Sequence, residues 1–292
     1  MFGINVSSHD SIFLSSYRKK QHPFHLVDPS PWPIILAFFA FSLSVWLVNY
    51  INRYSYSFVY SFYVFLFFGA TMFFWFRDII RESTFEQRHS QKVESNLLFG
   101  LSLFVLSEFL IFSGFFWGYF HNALSPGPKT FCSWPQPGIQ MPEGFWGLGP
   151  IITVVLLSSA LTFSNALYSL KKSNRRMVYL GFYFTIILGL LFFFLQGYEF
   201  LFGHFTISDG VYGSLFYMTT GLHGFHVFVG LVMIFVGLYR WISEHYQVDN
   251  YISLYCIEIY WHFVDFIWVF VFLIYYVWGN WPYGGAYLGL KF

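Results

Sequence analysis

The chain has 292 residues, 57% of them hydrophobic, 26% aromatic and only 10% charged. A soluble domain carries about a quarter charged residues, so this composition excludes a water-facing globule and places the chain in the membrane class. Its formal net charge of +1 argues against nucleic acid as a partner, because that binding rests on clustered Lys and Arg neutralising phosphates. Cys132 lies in a loop and Cys256 in an apolar run, which makes neither a disulfide framework nor a zinc or iron–sulfur pattern.

The opening "MFGINVSSHDSIFLSSYRKKQHP" reads as neither a signal peptide nor an Arg-rich transit peptide. "HPFHLVDPSPWP" (residues 22–33) leads into the first apolar run. Its prolines bar helix before that run, with Ser30 as the expected cap and Pro31 as the first helical residue. Seven spans follow, at 33–51, 58–76, 95–120, 150–170, 178–202, 212–239 and 254–279. Each can cross about 30 Å of hydrocarbon, which takes ~20 helical residues. In lipid the backbone must satisfy itself, so runs of this length are helices. All eleven prolines fall at 23–33, 126–150 and 282, outside the span interiors. The connection 77–94, "RDIIRESTFEQRHSQKVE", is dense in charge and suggests a division into 1–94 and 95–292. Asp209, in "FTISDGVYG", is expected to cap the sixth span.

Seven spans put the termini on opposite sides. The N-terminus and the connections 77–94, 171–177 and 240–253 hold twelve Lys and Arg, against three (Arg53, Lys129 and Lys291) on the other side. That bias assigns the N-terminus to the negative side of the membrane.

Polar residues inside the spans carry any chemistry. Glu108 sits near the midplane of the third span, where an ionised carboxylate costs ~3 kcal/mol even on the lenient insertion scale. Two readings stay open: a proton-handling or ion-coupling site, or a neutral acid hydrogen-bonded to a neighbouring helix. His223 and His226, three apart in "GLHGFHVFVG", share a face of the sixth span. They suit either two ligands of a metal or interhelical hydrogen bonding, with Gly221, Gly224 and Gly230 allowing close contact. A metal needs three or four ligands, and no further His, Cys or Met cluster supplies them. "EIYWHFVDFIW" places Glu258, His262 and Asp265 on one face of the seventh span. With Glu108 and the histidines they form a polar set, read equally as a proton relay or as a zipper pinning spans 3, 6 and 7. Glu108 is expected to hydrogen-bond a span 6 histidine, His226 ahead of His223. No Walker loop, dinucleotide fingerprint or catalytic triad occurs, so no catalytic residue is assigned.

Several segments together resemble subunit III of the haem–copper cytochrome c oxidases: "HPFHLVDPSPWP", "WFRDIIREST" followed by His89, "GFFWGYFHNALSP", "WPQPGI", "FTISDGVYGSLFYMTTGLHGFHV" and "YWHFVDFIWVFVFLIYYVWG". The resemblance covers most of the chain. It implies an all-α membrane protein of seven transmembrane helices, with helices 1–2 set apart from helices 3–7 by a lipid-filled cleft. It implies a non-catalytic core subunit of complex IV, which passes electrons from cytochrome c to oxygen and pumps protons. Subunit I would be the direct partner, with subunit II and accessory subunits nearby. The haems and coppers would lie in subunits I and II, and this chain would bind phospholipids and support proton uptake.

Carried over by motif, Glu108, His223 and His226 match the family's buried polar residues, and Trp75, Glu82, His89 and Arg240 match positions that line the lipid cleft. Five positions depart from the family pattern: Leu167 and Tyr168 replace a His pair, Phe76 a Trp, Ser243 a Lys and Tyr255 a Glu. Glu258, one turn on from Tyr255, is expected to compensate for the last. The resemblance and the Phe-rich composition point to the mitochondrial inner membrane, with the N-terminus in the matrix and the C-terminus in the intermembrane space. The competing classes are a proton-coupled multi-pass transporter, which usually shows internal repeats or broken helices, and subunit III of a quinol oxidase.

Overall fold

The computed structural model describes residues 23–54, 57–142, 147–246 and 251–280. The stretch ahead of Pro23, with Arg18, Lys19 and Lys20, and the C-terminal Lys291 lie outside the described residues. Seven long helices follow one another: α1 (Trp32–Ile51), α2 (Ser57–Thr84), α3 (Gln91–Leu124), α4 (Leu148–Lys171), α5 (Arg175–Phe202), α6 (Val211–Ile242) and α7 (Ile252–Val271). The last runs on as a π-helical stretch, Phe272–Trp278. Seven helices among the described residues are long and apolar enough to cross a membrane, and the protein is an all-α, multi-pass membrane chain.

The helices outrun the apolar spans. α2 continues two turns past residue 76, through Arg77, Asp78, Arg81 and Glu82. Asp78 accepts there from the Trp32 indole and from the Arg77 guanidinium, both at 2.7 Å. The connection expected at 77–94 is therefore only the few residues between Thr84 and Gln91. Charged straight-chain residues are good helix formers, so a charge run extends a membrane helix into the interface as readily as it breaks one.

Helix starts differ from expectation in two places. Pro31, not Ser30, occupies the cap position of α1, with no side-chain cap bond. Asp209 does not cap α6. Its carboxylate accepts from the Thr206 N–H at 2.7 Å and closes the preceding turn, while Gly210 takes the cap position at φ +105°. A Cβ on Gly210 would strike the Gln136 carboxamide, whose Oε1 accepts from the Tyr212 N–H at 3.4 Å. Glycine is needed there for its backbone and for its lack of a side chain.

The chain divides into two compact units between Leu97 and Leu98. In the first, α1 and α2 pack through aromatic rings, with Phe39 stacked on Phe67 at 5.6 Å and Trp46 edge-on to Phe65 at 5.1 Å. The segment ahead of α1 is tied to the α2–α3 connection: Arg88 meets Asp28 at 2.6 Å, and Ser90 donates to the Pro23 carbonyl at 2.5 Å. Asp28 raises the Arg88 guanidinium further above its usual value.

The second unit is a bundle with α7 at its centre. Lipid gives little hydrophobic drive between membrane helices, so close packing and polar contacts hold them. Trp261 and Trp268 of α7 donate to the hydroxyls of Ser159 and Thr153 of α4, each at 3.0 Å. The Thr162 and Thr185 hydroxyls join α4 to α5 at 2.8 Å. Small residues set the approach distances. A Cβ on Gly181 would lie 2.5 Å from that of Ala166, and one on Gly230 would lie 2.7 Å from the Trp261 ring. Of the three α6 glycines expected to make close contact, only Gly230 does; Gly221 and Gly224 face open space.

Candidate functional site

Glu108 lies near the middle of α3, about 25 Å along the helix from either end. Its carboxylate Oε2 is 3.0 Å from Nε2 of His226 on α6. The two side chains keep only 17% and 7% of their surface exposed, and Phe112 packs against the imidazole at 5.3 Å. The other ring nitrogen decides the chemistry. Nδ1 of His226 is 2.8 Å from the Leu222 carbonyl, and a carbonyl only accepts, so Nδ1 carries a proton. Nε2 and Oε2 can then bond in two ways: a protonated Glu108 donates to a neutral ring, or an imidazolium donates to the carboxylate. Both place one proton between the groups and leave the pair without net charge. An ionised carboxylate facing a neutral ring would set lone pair against lone pair and bury a bare charge.

His223 shares a face with His226 but serves another helix. It is fully buried and donates from Nε2 to the Val264 carbonyl of α7 at 3.1 Å. Its ring lies between Phe192 and Trp268, at 5.6 and 5.0 Å. Each histidine thus commits one nitrogen to a backbone carbonyl. Among the described residues no three or more His, Cys, Asp or Glu are placed to hold a metal.

The polar set expected across spans 3, 6 and 7 is not one set. Glu258 and His262 turn toward α4, where Ser164 donates to the Glu258 carboxylate and meets His262 Nε2, both at 2.8 Å. The two α7 side chains are themselves 3.8 Å apart. Asp265, on the inward side of that face, is buried. At about 100° per residue, Glu258 falls between His262 and Asp265 around the helix, and exposure drops in that order from the rim inward. Tyr255, where the resemblance expected Glu, is exposed, while Glu258 is held by Ser164.

The residues matched to lipid contacts fall in both units. In the first, Trp75 and His89 are half-buried, Glu82 is 3.5 Å from His25, and the His25 ring stands edge-on to His89 at 5.4 Å. In the second, Arg240 is buried rather than presented at the surface. It donates to the Ser253 hydroxyl at 2.8 Å and lies over the Tyr246 ring at 4.6 Å.

Sequence reasoning missed another carboxylate held by hydrogen bonds, a half-buried one. Glu199, near the end of α5, accepts from the Tyr276 hydroxyl at 2.7 Å and from Gln196 at 3.0 Å. The Gln–Glu spacing of three was the available signal.

A family model described as cytochrome c oxidase subunit III matches residues 22–280, which takes in all seven helices. The chain is similar to cytochrome c oxidase subunit 3 of Chondrus crispus, 41% identical over 264 residues covering 89% of this chain and 96% of that protein. It is 38% identical to the subunit 3 of Prototheca wickerhamii over 261 residues, 89% of this chain and 99% of that protein. It is 39% identical to that of Drosophila yakuba over 263 residues, at 89% and 98%. The seven apolar helices agree with this coverage, and the chain belongs to the cytochrome c oxidase subunit III family.

Proposed function

We propose that this chain is a core, non-catalytic subunit of complex IV in the mitochondrial inner membrane. It packs directly against subunit I, which with subunit II carries the haems and coppers. It holds phospholipids and supports proton uptake by subunit I. Its N-terminus lies in the matrix and its C-terminus in the intermembrane space, following the twelve-to-three bias of Lys and Arg. Trp75, Glu82 and His89, beside Arg88 and Lys92, suit zwitterionic and anionic headgroups at the matrix surface. Arg240 contributes through Tyr246 and Ser253, which fix the guanidinium near that surface.

The observation that carries the supporting role is the Glu108–His226 bond. The midplane carboxylate is closed onto a partner within its own chain. A coupling site in a transporter must instead exchange its proton or ion with both sides of the membrane.

Affinity purification of the native chain tests the reading. Co-isolation of a haem–copper subunit I, with cytochrome c as the electron donor, is the expected result. A homo-oligomer without haem favours the proton-coupled transporter. A haem–copper complex oxidising quinol favours the quinol-oxidase subunit. Lipid analysis of the same preparation is expected to find phospholipid retained through delipidating washes, with less retained after Glu82→Ala together with His89→Ala.

A further inference from the structure

The Ser164–Glu258–His262 cluster has no counterpart in the proposed function. His262 lies about 5 Å from the middle of α7 taken with its π-helical extension (Ile252–Trp278), and Ser164 about 7 Å from the middle of α4. Both are well inside a hydrocarbon layer whose half-thickness is about 15 Å. Yet the His262 side chain keeps 46% of its surface exposed and Glu258 keeps 18%. The flanking residues Leu161 on α4 and Phe266 on α7 are exposed too, so the cluster opens on an outer face of the bundle.

The hydrogen-bond inventory shows what that face lacks. The Ser164 hydroxyl donates to Glu258, so its contact with His262 is received from the Nε2 proton. Nδ1 of this partly exposed His262 ring has no hydrogen-bond partner among the described residues. Acyl chains offer none either, and an unsatisfied polar group in hydrocarbon is costly. Imidazole and carboxylate groups at this depth face protein or water rather than lipid tails.

We infer that the α4–α7 face centred on Ser164, Glu258 and His262 is a docking surface for a membrane helix of a different subunit, which presents a hydroxyl or carboxamide side chain to His262 Nδ1. Such a side chain both donates and accepts, so it satisfies Nδ1 whichever way the cluster's protons are arranged. The aromatic and aliphatic residues around the cluster give the helix its packing surface, and the imidazole fixes its register. The inference rests on the chain being part of a larger complex and names the face it uses.

The test is made in the assembled complex. A photoreactive benzoylphenylalanine replaces Phe266, and the adducts formed on irradiation are identified by mass spectrometry. An adduct with a helix of another subunit is expected. An adduct with phospholipid, or with a second copy of this chain, overturns the inference. In parallel, His262→Phe is expected to speed loss of this chain from the detergent-solubilised complex about threefold to tenfold, the range of one hydrogen bond between membrane helices. Unchanged retention also overturns it. Failure here is separable from failure of the proposed function: a lipid adduct inside an intact haem-containing complex refutes only the face, while absence of any haem–copper partner refutes the function.

Discussion

Glu108 and His226 hold one proton between them across 3.0 Å, because the Leu222 carbonyl fixes the other ring nitrogen as a donor. The pair stays neutral with the proton on either side, which is what a mid-membrane site requires. Glu108→Gln keeps a donor for Nε2 and keeps neutrality. It is expected to leave oxygen consumption and the thermal midpoint of the purified complex near the starting values. Glu108→Ala strands Nε2 without a donor and should cost about 1–3 kcal/mol. Equal melting of the two variants, or loss of electron transfer in the Gln variant, would show that the pair has another role.

The glycines of α6 make a matched comparison. An alanine Cβ at 230 meets the Trp261 ring at 2.7 Å, whereas one at 221 meets nothing within 4 Å. Gly230→Ala is expected to destabilise the bundle by about 1–3 kcal/mol through overpacking. Gly221→Ala should fall within about 0.5 kcal/mol of the parent. Thermal denaturation of the two variants in one detergent decides it, and similar shifts would contradict the α6–α7 packing described.

Tyr275 and Tyr276 are both fully buried, with different partners. Tyr276 donates to the Glu199 carboxylate, and Tyr275 bonds the Thr219 hydroxyl at 2.9 Å. A hydrogen bond to a carboxylate outranks one between neutral groups, and Thr219 also donates to the Leu215 carbonyl. Tyr276→Phe should therefore cost about 1.5–3 kcal/mol and Tyr275→Phe about 1 kcal/mol. The reverse order in chemical or thermal unfolding would mean that Glu199 does not depend on Tyr276.

His245 lies beyond the end of α6, outside the membrane spans. Burial, and then the Arg240 charge, lower its value below the usual 6.5. A histidine with a depressed folded value stabilises the fold when neutral. That contribution is fully present above pH 6.5 and is lost as pH falls through the lower folded value. The parent should thus lose more stability between neutral and mildly acidic pH than His245→Asn does. Parallel pH–stability curves for the two proteins would remove His245 as a contributor.

The helices were legible in the sequence because a bilayer demands long apolar runs and nothing else of that length satisfies the backbone. The Glu108 partner was legible for a related reason, since a midplane carboxylate must find a donor and α6 offered two. What spacing cannot supply is the absolute rotation of a helix. Glu258, His262 and Asp265 do follow one another at helical intervals, yet the bundle turns the first two toward Ser164 and the third inward. The same limit misassigned Gly221 and Gly224. Helix ends were also beyond reach, because the charges after residue 76 prolong α2 through contacts such as Trp32 to Asp78 that no local pattern reveals.

The π-helical stretch at the end of α7 places two consecutive tyrosines where each is fully enclosed, one bonded to α6 and the other to α5. Adjacent residues of an α-helix stand about 100° apart, and the central α7 buries such pairs earlier too, at Tyr260–Trp261 and Ile267–Trp268. The wider turn, closed by the Gly279 N–H donating to the Ile274 carbonyl five residues back, absorbs one additional residue into the coil. This segment is therefore more sensitive to a change of length than to a conservative exchange. Deleting a single residue within Phe272–Trp278 would return the coil to its ordinary pitch, rotate one tyrosine out of the bundle and unfasten α7 from either α5 or α6.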